Sequence, residues 1–224
     1  MELHADFSQR VLIHSDEIDW IASPMPGVDR RMLDRIGEEV ARATSIVRYA
    51  PNSQFSQHTH GGGEEFIVLE GVFQDEHGDY PVGSYVRNPP TSYHTPGSEL
   101  GCVIFVKLWQ FDPEDRTSIK IEMNKAAPIK AADRPGVMVK RLFEDHRETV
   151  NLERWEPNMS VSFDTPDGAE LLVLDGSFEE GEDSLRKHSW LRLPRDSRLD
   201  AKAGPDGAKV WIKTGHLRFV EAPK

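Results

Sequence analysis

The chain has a single cysteine, Cys102, among its 224 residues. One cysteine cannot build an intrachain disulfide framework, and it excludes the Cys-x-x-Cys pairs that hold many structural zinc ions. Cys102 opens an apolar stretch, where a cysteine usually behaves as a small hydrophobic side chain. A redox role would need an exposed thiolate beside positive charge, so we expect an inert core residue.

Positive charge and long apolar runs are also scarce. The chain has 27 Lys and Arg against 38 Asp and Glu, which gives a formal net charge of -11. An acidic surface disfavours contact with the phosphate backbone, so we expect no nucleic-acid partner. No run has the length of a membrane span, and the start, Met-Glu-Leu-His-Ala-Asp, lacks the basic and apolar regions of a signal peptide. We therefore expect a cytoplasmic protein without a membrane partner.

Sustained helical periodicity is the third missing feature. Fifteen prolines and 17 glycines separate many short apolar runs, and none of these runs repeats with a helical period over several turns. This pattern predicts an all-β protein. We expect strands at 11–13, 18–21, 32–36, 43–49, 85–88 and 102–111. The last of these is continuously apolar, which is typical of a strand buried on both faces.

The stretch from His58 to Gly71 reads His-Thr-His-Gly-Gly-Gly-Glu-Glu-Phe-Ile-Val-Leu-Glu-Gly. His58 and His60 are two residues apart, so on a strand both imidazoles leave the same face. The three glycines permit a tight reversal, after which Glu64 points its carboxylate at the histidines. Glu65 is the rival ligand, but its alternation with the following apolar residues places it on the opposite face. One hairpin is thus predicted to supply three metal ligands.

A fourth ligand is expected at His94. Turns are predicted at Pro81-Val82-Gly83 and at Asn88-Pro89-Pro90, and His94 follows the second turn. In a small barrel this brings the side chain back to the same site. The spacing His-x-His-x3-Glu-x6-Gly, followed by Pro-x-Gly and a further His, resembles the two motifs of the cupin superfamily.

The resemblance extends to one cupin family, over roughly residues 8 to 111. Four segments are similar to the C-terminal cupin domain of ChrR, a zinc-dependent anti-sigma factor of the oxidative-stress response: Val40 to Tyr49, His58 to Phe66, Asp75 to Pro81 and Gly83 to Pro89. This resemblance implies a jelly-roll barrel that holds a metal. The ligands that it implies are His58, His60, Glu64 and His94.

The expected cofactor is one divalent metal ion per chain. Three imidazoles and a carboxylate suit zinc, and the family resemblance also favours zinc. The same nitrogen and oxygen donors accept iron, nickel, copper or manganese, and affinity order alone does not decide which ion binds in a cell.

The second half of the chain repeats the first. Tyr49-Ala50-Pro51-Asn52 reappears as Trp155-Glu156-Pro157-Asn158, and the segment 65–73 reappears as 170–178. A repeat of about 105 residues has the length of one barrel rather than of a solenoid unit. The expected architecture is therefore two tandem cupin barrels, each a double-stranded β-helix or jelly roll, at residues 1–115 and 120–224, with a polar, proline-bearing segment at 112–137.

The second copy lacks the metal ligands. No histidine lies between Asn158 and Glu170, and Asp196-Ser197-Arg198-Leu199 replaces the region of His94. We expect a barrel that keeps its fold but binds no metal. Its predicted interior comprises Leu172, Leu174, Trp190, Leu191, Leu193, Val210 and Ile212. The six histidines outside the ligand set are expected in surface or loop positions: His4, His14, His77, His146, His188 and His216.

Three functions fit the sequence. The resemblance implies a sensory or regulatory protein of the stress response, but the helical domain that binds the sigma factor in ChrR carries cysteine ligands, and no cysteine precedes Cys102 here. Inhibition of a sigma factor is therefore not expected. The second function is a metalloenzyme, such as a non-haem iron dioxygenase acting on a small ketone or enol. The third is a non-catalytic assembly module that forms a homodimer through exposed strands.

An enzyme would bind a small molecule in the first barrel. Alternation offers candidate lining residues but no catalytic residue or substrate: Phe55, Tyr93 and either Phe105, Lys107 and Trp109 or Val106 and Leu108. If these residues do not line a ligand site, Lys107 extends from the barrel rim and Trp109 is an ordinary core residue.

Overall fold

The computed structural model describes residues 1–38, 40–125 and 127–223. Its strands, in chain order, are β1 Glu2–Leu3, β2 Val11–His14, β3 Ile21–Ala22, β4 Val28–Gly37, β5 Ala41–Tyr49, β6 Ser53–Gln54, β7 His58–Thr59, β8 Glu64–Asp75, β9 Gly78–Pro81, β10 Ser84–Asn88, β11 Tyr93–His94, β12 Gly97–Ser98, β13 Cys102–Leu108, β14 Ile119–Glu122, β15 Ile129–Lys130, β16 Val137–Glu144, β17 Thr149–Trp155, β18 Ser160–Thr165, β19 Ala169–Glu180, β20 Asp183–Arg186, β21 Ser189–Leu193 and β22 Ser197–Thr214. The described helices are two short 3-10 turns, Ser15–Glu17 and His216–Phe219. The prediction of an all-β protein is confirmed.

The chain divides into two compact units. The first comprises Met1–Ala5, Ile18–Lys125 and residues 221–223, and the second comprises Asp6–Glu17 and residues 127–220. Two units agree with a tandem arrangement, but their boundaries differ from the expected 1–115 and 120–224 because each unit takes in a segment from outside its repeat. Residue 224, the expected end of the second barrel, lies outside the described residues.

The main sheet of the first unit is antiparallel, in the order β1-β4-β5-β13-β8-β10-β14. Its core side chains come from β8, β9, β10 and β13 and are Phe66, Val68, Phe73, Tyr80, Val86, Cys102, Ile104 and Val106. Cys102 is 3% exposed, and burial raises the pKa of its thiol to about 11. It is therefore a core residue, as its place in an apolar strand predicts.

Strand β8 contains a bulge, at which its pairing with β13 shifts between Val68 and Glu70. Gly71 follows with φ of 69°, and a Cβ atom there would lie 2.0 Å from the carbonyl oxygen of Gly101. Only glycine fits this position. Because one extra residue enters the strand, the core-facing parity changes from even (Phe66, Val68) to odd (Phe73).

The sheet of the second unit is built in the same way, in the order β15-β16-β17-β22-β19-β21-β2. Its bulge glycine, Gly176, has φ of 69°, and a Cβ atom there would lie 2.1 Å from the carbonyl oxygen of Gly207. The outermost strand is β2, which pairs with β21 through Leu12 and Leu191. The equivalent place in the first unit is taken by β14.

The core of the second unit differs from the predicted interior by one position in β19. Leu171 and Val173 face the core, together with Leu191, Leu193, Val210 and Ile212 from the predicted set. Leu172 and Trp190 are fully buried on the other face of the sheet, and Leu174 is only half-buried. The period-two pattern was right, but its phase in β19 was wrong.

No described helix is long and apolar enough to cross a membrane, since neither 3-10 helix exceeds four residues.

Candidate metal centre

A two-stranded ribbon of β7 and β11 brings the predicted histidines together. His94 lies directly opposite His58 in this ribbon. The backbone N–H of His60 donates to the carbonyl of Ser92 at 2.9 Å, which carries the pairing one step further. The three imidazole rings consequently lie with their centroids 4.6 to 5.1 Å apart.

The three glycines between His60 and Glu64 do more than allow a reversal. Gly63 has φ of 78°, which supplies the turn. A Cβ atom at Gly62 would lie 2.4 Å from the indole ring of Trp109, and one at Gly61 would lie 2.7 Å from it. The ring of Trp109 therefore packs flat on bare backbone. Trp109, one of the candidate lining residues, therefore packs against the ligand loop.

Glu64 completes the group at the first position of β8. One ligand atom from each of His58, His60, Glu64 and His94 lies within 4.8 Å of the others, and we call this group the His3Glu cluster. Oε2 of Glu64 is 3.4 Å from Nε2 of His60 and 3.6 Å from Nε2 of His94. The cluster is buried apart from the exposed His58.

Each imidazole of the His3Glu cluster uses Nδ1 for a hydrogen bond to the protein. The partners of His58, His60 and His94 are the carbonyl of Ser56 at 3.4 Å, Oγ of Ser92 at 3.0 Å and Oδ2 of Asp75 at 3.3 Å. These bonds place the proton on Nδ1 and leave Nε2 as the nitrogen available to a metal.

The buried Nε2 of His60 makes no hydrogen bond to any described residue. Buried polar atoms normally have a partner, so this nitrogen fits a ligand atom whose partner is a metal ion. Glu64 is held as well, since Nδ2 of Asn88 donates to its Oε2 at 3.1 Å. The donor set therefore suits a divalent transition metal.

The two buried histidines have opposite pKa shifts. Burial lowers the pKa of His60, and the neighbouring His94 and His58 lower it further against the opposing charge of Glu64. Burial also acts to lower the pKa of His94, but the hydrogen bond that its Nδ1–H donates to Asp75 and the charges of Glu64 and Asp75 outweigh burial and raise this pKa. His94 is consequently the more basic of the two imidazoles.

Glu65 lies outside the His3Glu cluster, on the other face of β8. Its carboxylate accepts a hydrogen bond from the Tyr85 hydroxyl at 2.6 Å and lies 3.7 Å from the Arg87 guanidinium. The same register places Lys107 on this face, because it pairs with Glu65. Lys107 is fully buried and donates to Oγ1 of Thr44 at 2.9 Å, so it is not a rim residue.

The candidate lining residues of the first barrel separate in a similar way. Val106 belongs to the core cluster and Leu108 packs against it, whereas Phe105 does not. Phe55 contacts Tyr49 edge-on with ring centroids 5.1 Å apart. Tyr93 is 55% exposed and points away from the interior.

Sequence reasoning did not identify the residues that hold the ligands. Asp75, Asn88 and Ser92 all contact the His3Glu cluster. Asn88 belongs to the predicted turn at Asn88-Pro89-Pro90, and Ser92 follows it. Asp75 and Glu64 have opposite parity on β8, so regular alternation would place Asp75 on the face away from the cluster. The bulge in β8 changes the parity and brings Asp75 to the same face as Glu64.

The remaining histidines and the second unit offer no comparable group. Among the described residues, no other three His, Cys, Asp or Glu side chains could jointly hold a metal ion. His216 is buried rather than exposed, with Nε2 3.0 Å from Oε1 of Glu170. At the position in the second unit that corresponds to the His3Glu cluster, a cavity of about 350 Å³ is lined by Phe163, Thr165 and the ion pair of Arg134 with Glu153.

The chain is similar to known proteins in sequence over its first half and in fold over most of its length. Residues 8–112 match the ChrR cupin-like domain family, and no curated protein matches the chain by sequence. Among solved structures, a candidate dioxygenase from Nostoc punctiforme is similar at a TM-score of 0.73 and 18% identity, over 97% of this chain and 88% of that one.

Two further structures have the same fold. The Escherichia coli protein YlbA is similar at a TM-score of 0.71 and 13% identity, over 96% of this chain and 94% of that one. A deletion mutant of the Bacillus subtilis oxalate decarboxylase OxdC is similar at 0.63 and 10%, over 91% and 76%. Identities this low establish the fold alone, which is the cupin fold. The sequence match adds that residues 8–112 are similar to the ChrR cupin-like domain family.

Proposed function

We propose that the first unit binds one divalent metal ion, zinc by preference, through His58, His60, Glu64 and His94. The observation that carries this proposal is the buried Nε2 of His60, which makes no hydrogen bond to any described residue and lies inside a group of four convergent donors. A bound ion would supply Lewis-acid chemistry, or electron transfer if the ion is iron. The protein's own part is to hold three imidazoles in one tautomer and to keep Glu64 oriented.

The biological role that we propose is that of a metal-dependent sensory or regulatory protein. The match of residues 8–112 to the ChrR cupin-like family supports it. This role does not include inhibition of a sigma factor by the described chain alone. In a transcription assay with a sigma factor of the ChrR-regulated type, stoichiometric inhibition by the purified protein would contradict this restriction.

Metal analysis of the purified protein tests the site itself. We expect about one equivalent of metal in the wild type and none in the double variant His58→Ala/His60→Ala, because two remaining donors cannot retain a transition metal. His14→Ala/His77→Ala is a matched control that removes two histidines outside the cluster and should keep the full equivalent. A full equivalent in the cluster variant would contradict the proposal.

A metalloenzyme is the second candidate, and the exposure of His58 favours it. A structural metal site is closed, whereas a catalytic site keeps a position that a small molecule can reach. The similarity to a candidate dioxygenase over 97% of the chain is compatible with this role. For an iron-loaded preparation, this candidate predicts dioxygen uptake that depends on an added small ketone or enol. Uptake that is absent with every such compound, or equal without one, would reject it.

A further inference from the structure

The carboxylate of Asp75 has a position that the metal-binding motif does not explain. Its side chain is only 4% exposed, and its two oxygens have different partners. Oδ2 accepts from Nδ1 of His94 at 3.3 Å. Oδ1 accepts from the backbone N–H of His77 at 2.8 Å and from the Tyr80 hydroxyl at 3.1 Å. One oxygen thus faces a metal-ligand candidate, and the other is anchored in the β8–β9 hairpin.

The contacts continue from Asp75 toward the surface. Tyr80 is 6% exposed, and its hydroxyl accepts a hydrogen bond from Nζ of Lys120 at 2.6 Å. Lys120 lies on β14, beyond residues 8–112 that match the family. A cationic donor on the phenol oxygen polarises the hydroxyl and strengthens its hydrogen bond to the carboxylate. Lys120, Tyr80, Asp75 and His94 therefore form one continuous hydrogen-bonded chain.

We propose that Asp75 is a positioning residue of the metal centre, which fixes the Nδ1–H tautomer and ring orientation of His94, and that Tyr80 and Lys120 hold Asp75 in place. The inference rests on the proposed metal site. A carboxylate on the distal nitrogen of a ligating histidine orients the ring and increases the basicity of the ligating nitrogen. The metal affinity of the protein then depends partly on Lys120 of β14, a strand outside the residues that match the family.

The substitution Asp75→Asn separates positioning from support of the hairpin. The asparagine oxygen can still accept from His77 and Tyr80, so the turn is kept. Its amide nitrogen then faces His94 and donates to Nδ1, which moves the imidazole proton to Nε2 and blocks the ligating atom. Asp79→Asn is the matched control: it removes the same charge from the same hairpin, where Asp79 is exposed and accepts from Gln74.

Cobalt(II) is the probe for the first measurement, with affinity and visible absorption spectrum recorded for each variant. We expect Asp75→Asn to weaken cobalt binding by about 10- to 100-fold and to change the spectrum. Tyr80→Phe should have a smaller effect, Lys120→Met the smallest, and Asp79→Asn none. Wild-type affinity and spectrum in Asp75→Asn would overturn the positioning inference, whereas a wild type that binds no cobalt would overturn the proposed site.

The second measurement needs no metal. Nitrogen-15 NMR of the histidine rings at pH 8 reports the tautomer directly, and it should show protonated Nδ1 at His94 in the wild type and protonated Nε2 in Asp75→Asn. An unchanged tautomer would contradict the inference even if metal binding were weaker. If Asp75→Asn does not fold, Tyr80→Phe serves in its place, because it keeps both Asp75 and the turn. A partial shift of the His94 tautomer in this variant tests the same series of hydrogen bonds.

Discussion

The adjacent residues Glu64 and Glu65 are both buried, yet their side chains contact different residues. Glu64 faces three imidazoles, and Glu65 faces Tyr85 and Arg87. A buried carboxylate is stable only if polar or charged groups contact it, and each of these two side chains has such contacts. The alternation of a strand is sufficient to separate them, so this distinction was predictable from the sequence.

The glutamate pair gives a prediction with an internal control. Glu64→Gln should weaken metal binding by at least the 10- to 100-fold that is typical for loss of an outer-shell partner, because it removes a ligand charge. Glu65→Gln should keep the metal but lower the free energy of unfolding by about 1–3 kcal/mol, since a buried charged partner is lost. Metal analysis and denaturant titration of both variants check this. Equal metal loss in the two variants would show that the faces are assigned incorrectly.

The pKa shifts of the histidines predict how metal retention depends on pH. Protons compete with the metal for the imidazole nitrogens, so acidification releases the ion. The raised pKa of His94 means that its protonated form persists above the ordinary value of about 6.5, whereas the lowered pKa of His60 keeps this ring neutral below it. The apparent metal affinity should therefore fall as the pH drops, with His94 as the ligand at which protons compete first. Dialysis at stepwise pH followed by metal analysis measures this, and full retention at pH 5 would contradict it.

Among the elements, the ligand loop depends on packing between two segments far apart in sequence. The sequence predicts a turn at the three glycines, but it does not reveal that the indole of Trp109 requires two of them to lack a side chain. The bulge in β8 is a similar case. Gly71 is visible in the sequence, but the register shift that turns Asp75 inward depends on pairing with β13.

Gly62→Ala tests the contact between the ligand loop and Trp109. A Cβ atom at this position would lie 2.4 Å from the ring, so the loop or the ring must move. We expect a loss of about 1–3 kcal/mol in stability, together with weaker metal binding. In the double variant Gly62→Ala/Trp109→Ala, the added methyl group should cost less than it does alone, which a double-mutant cycle measures. Strict additivity of the two changes would show that the contact is unimportant.

For the whole molecule, the sequence predicted the class, the repeat and most strands, but not which strand belongs to which sheet. β2 was expected to open the first barrel, yet it pairs with β21 of the second unit. Residues 112–137 were expected as a polar connection, yet they contain β14 and β15, which pair with β10 and β16. An apolar pattern identifies a strand, whereas its partner is set by long-range register that one sequence does not encode locally.

Leu12→Ala tests the assignment of β2. Because Leu12 packs against the core of the second unit, the change should destabilise that unit by about 1–3 kcal/mol. Metal affinity should remain unchanged, since the His3Glu cluster belongs to the other unit. Leu100→Ala, at a side chain that is 74% exposed, serves as the control for both measurements. Loss of metal without loss of stability would show that β2 has been assigned to the wrong unit.

Anomalous scattering from crystals grown with excess zinc tests the central claim most directly. The account predicts one peak per chain, between His58, His60, Glu64 and His94, and none in the second unit. Such a peak would also identify the ligating nitrogen of each ring. A peak among Asp164, Glu170 and Arg198, or no peak at the His3Glu cluster, would contradict the account.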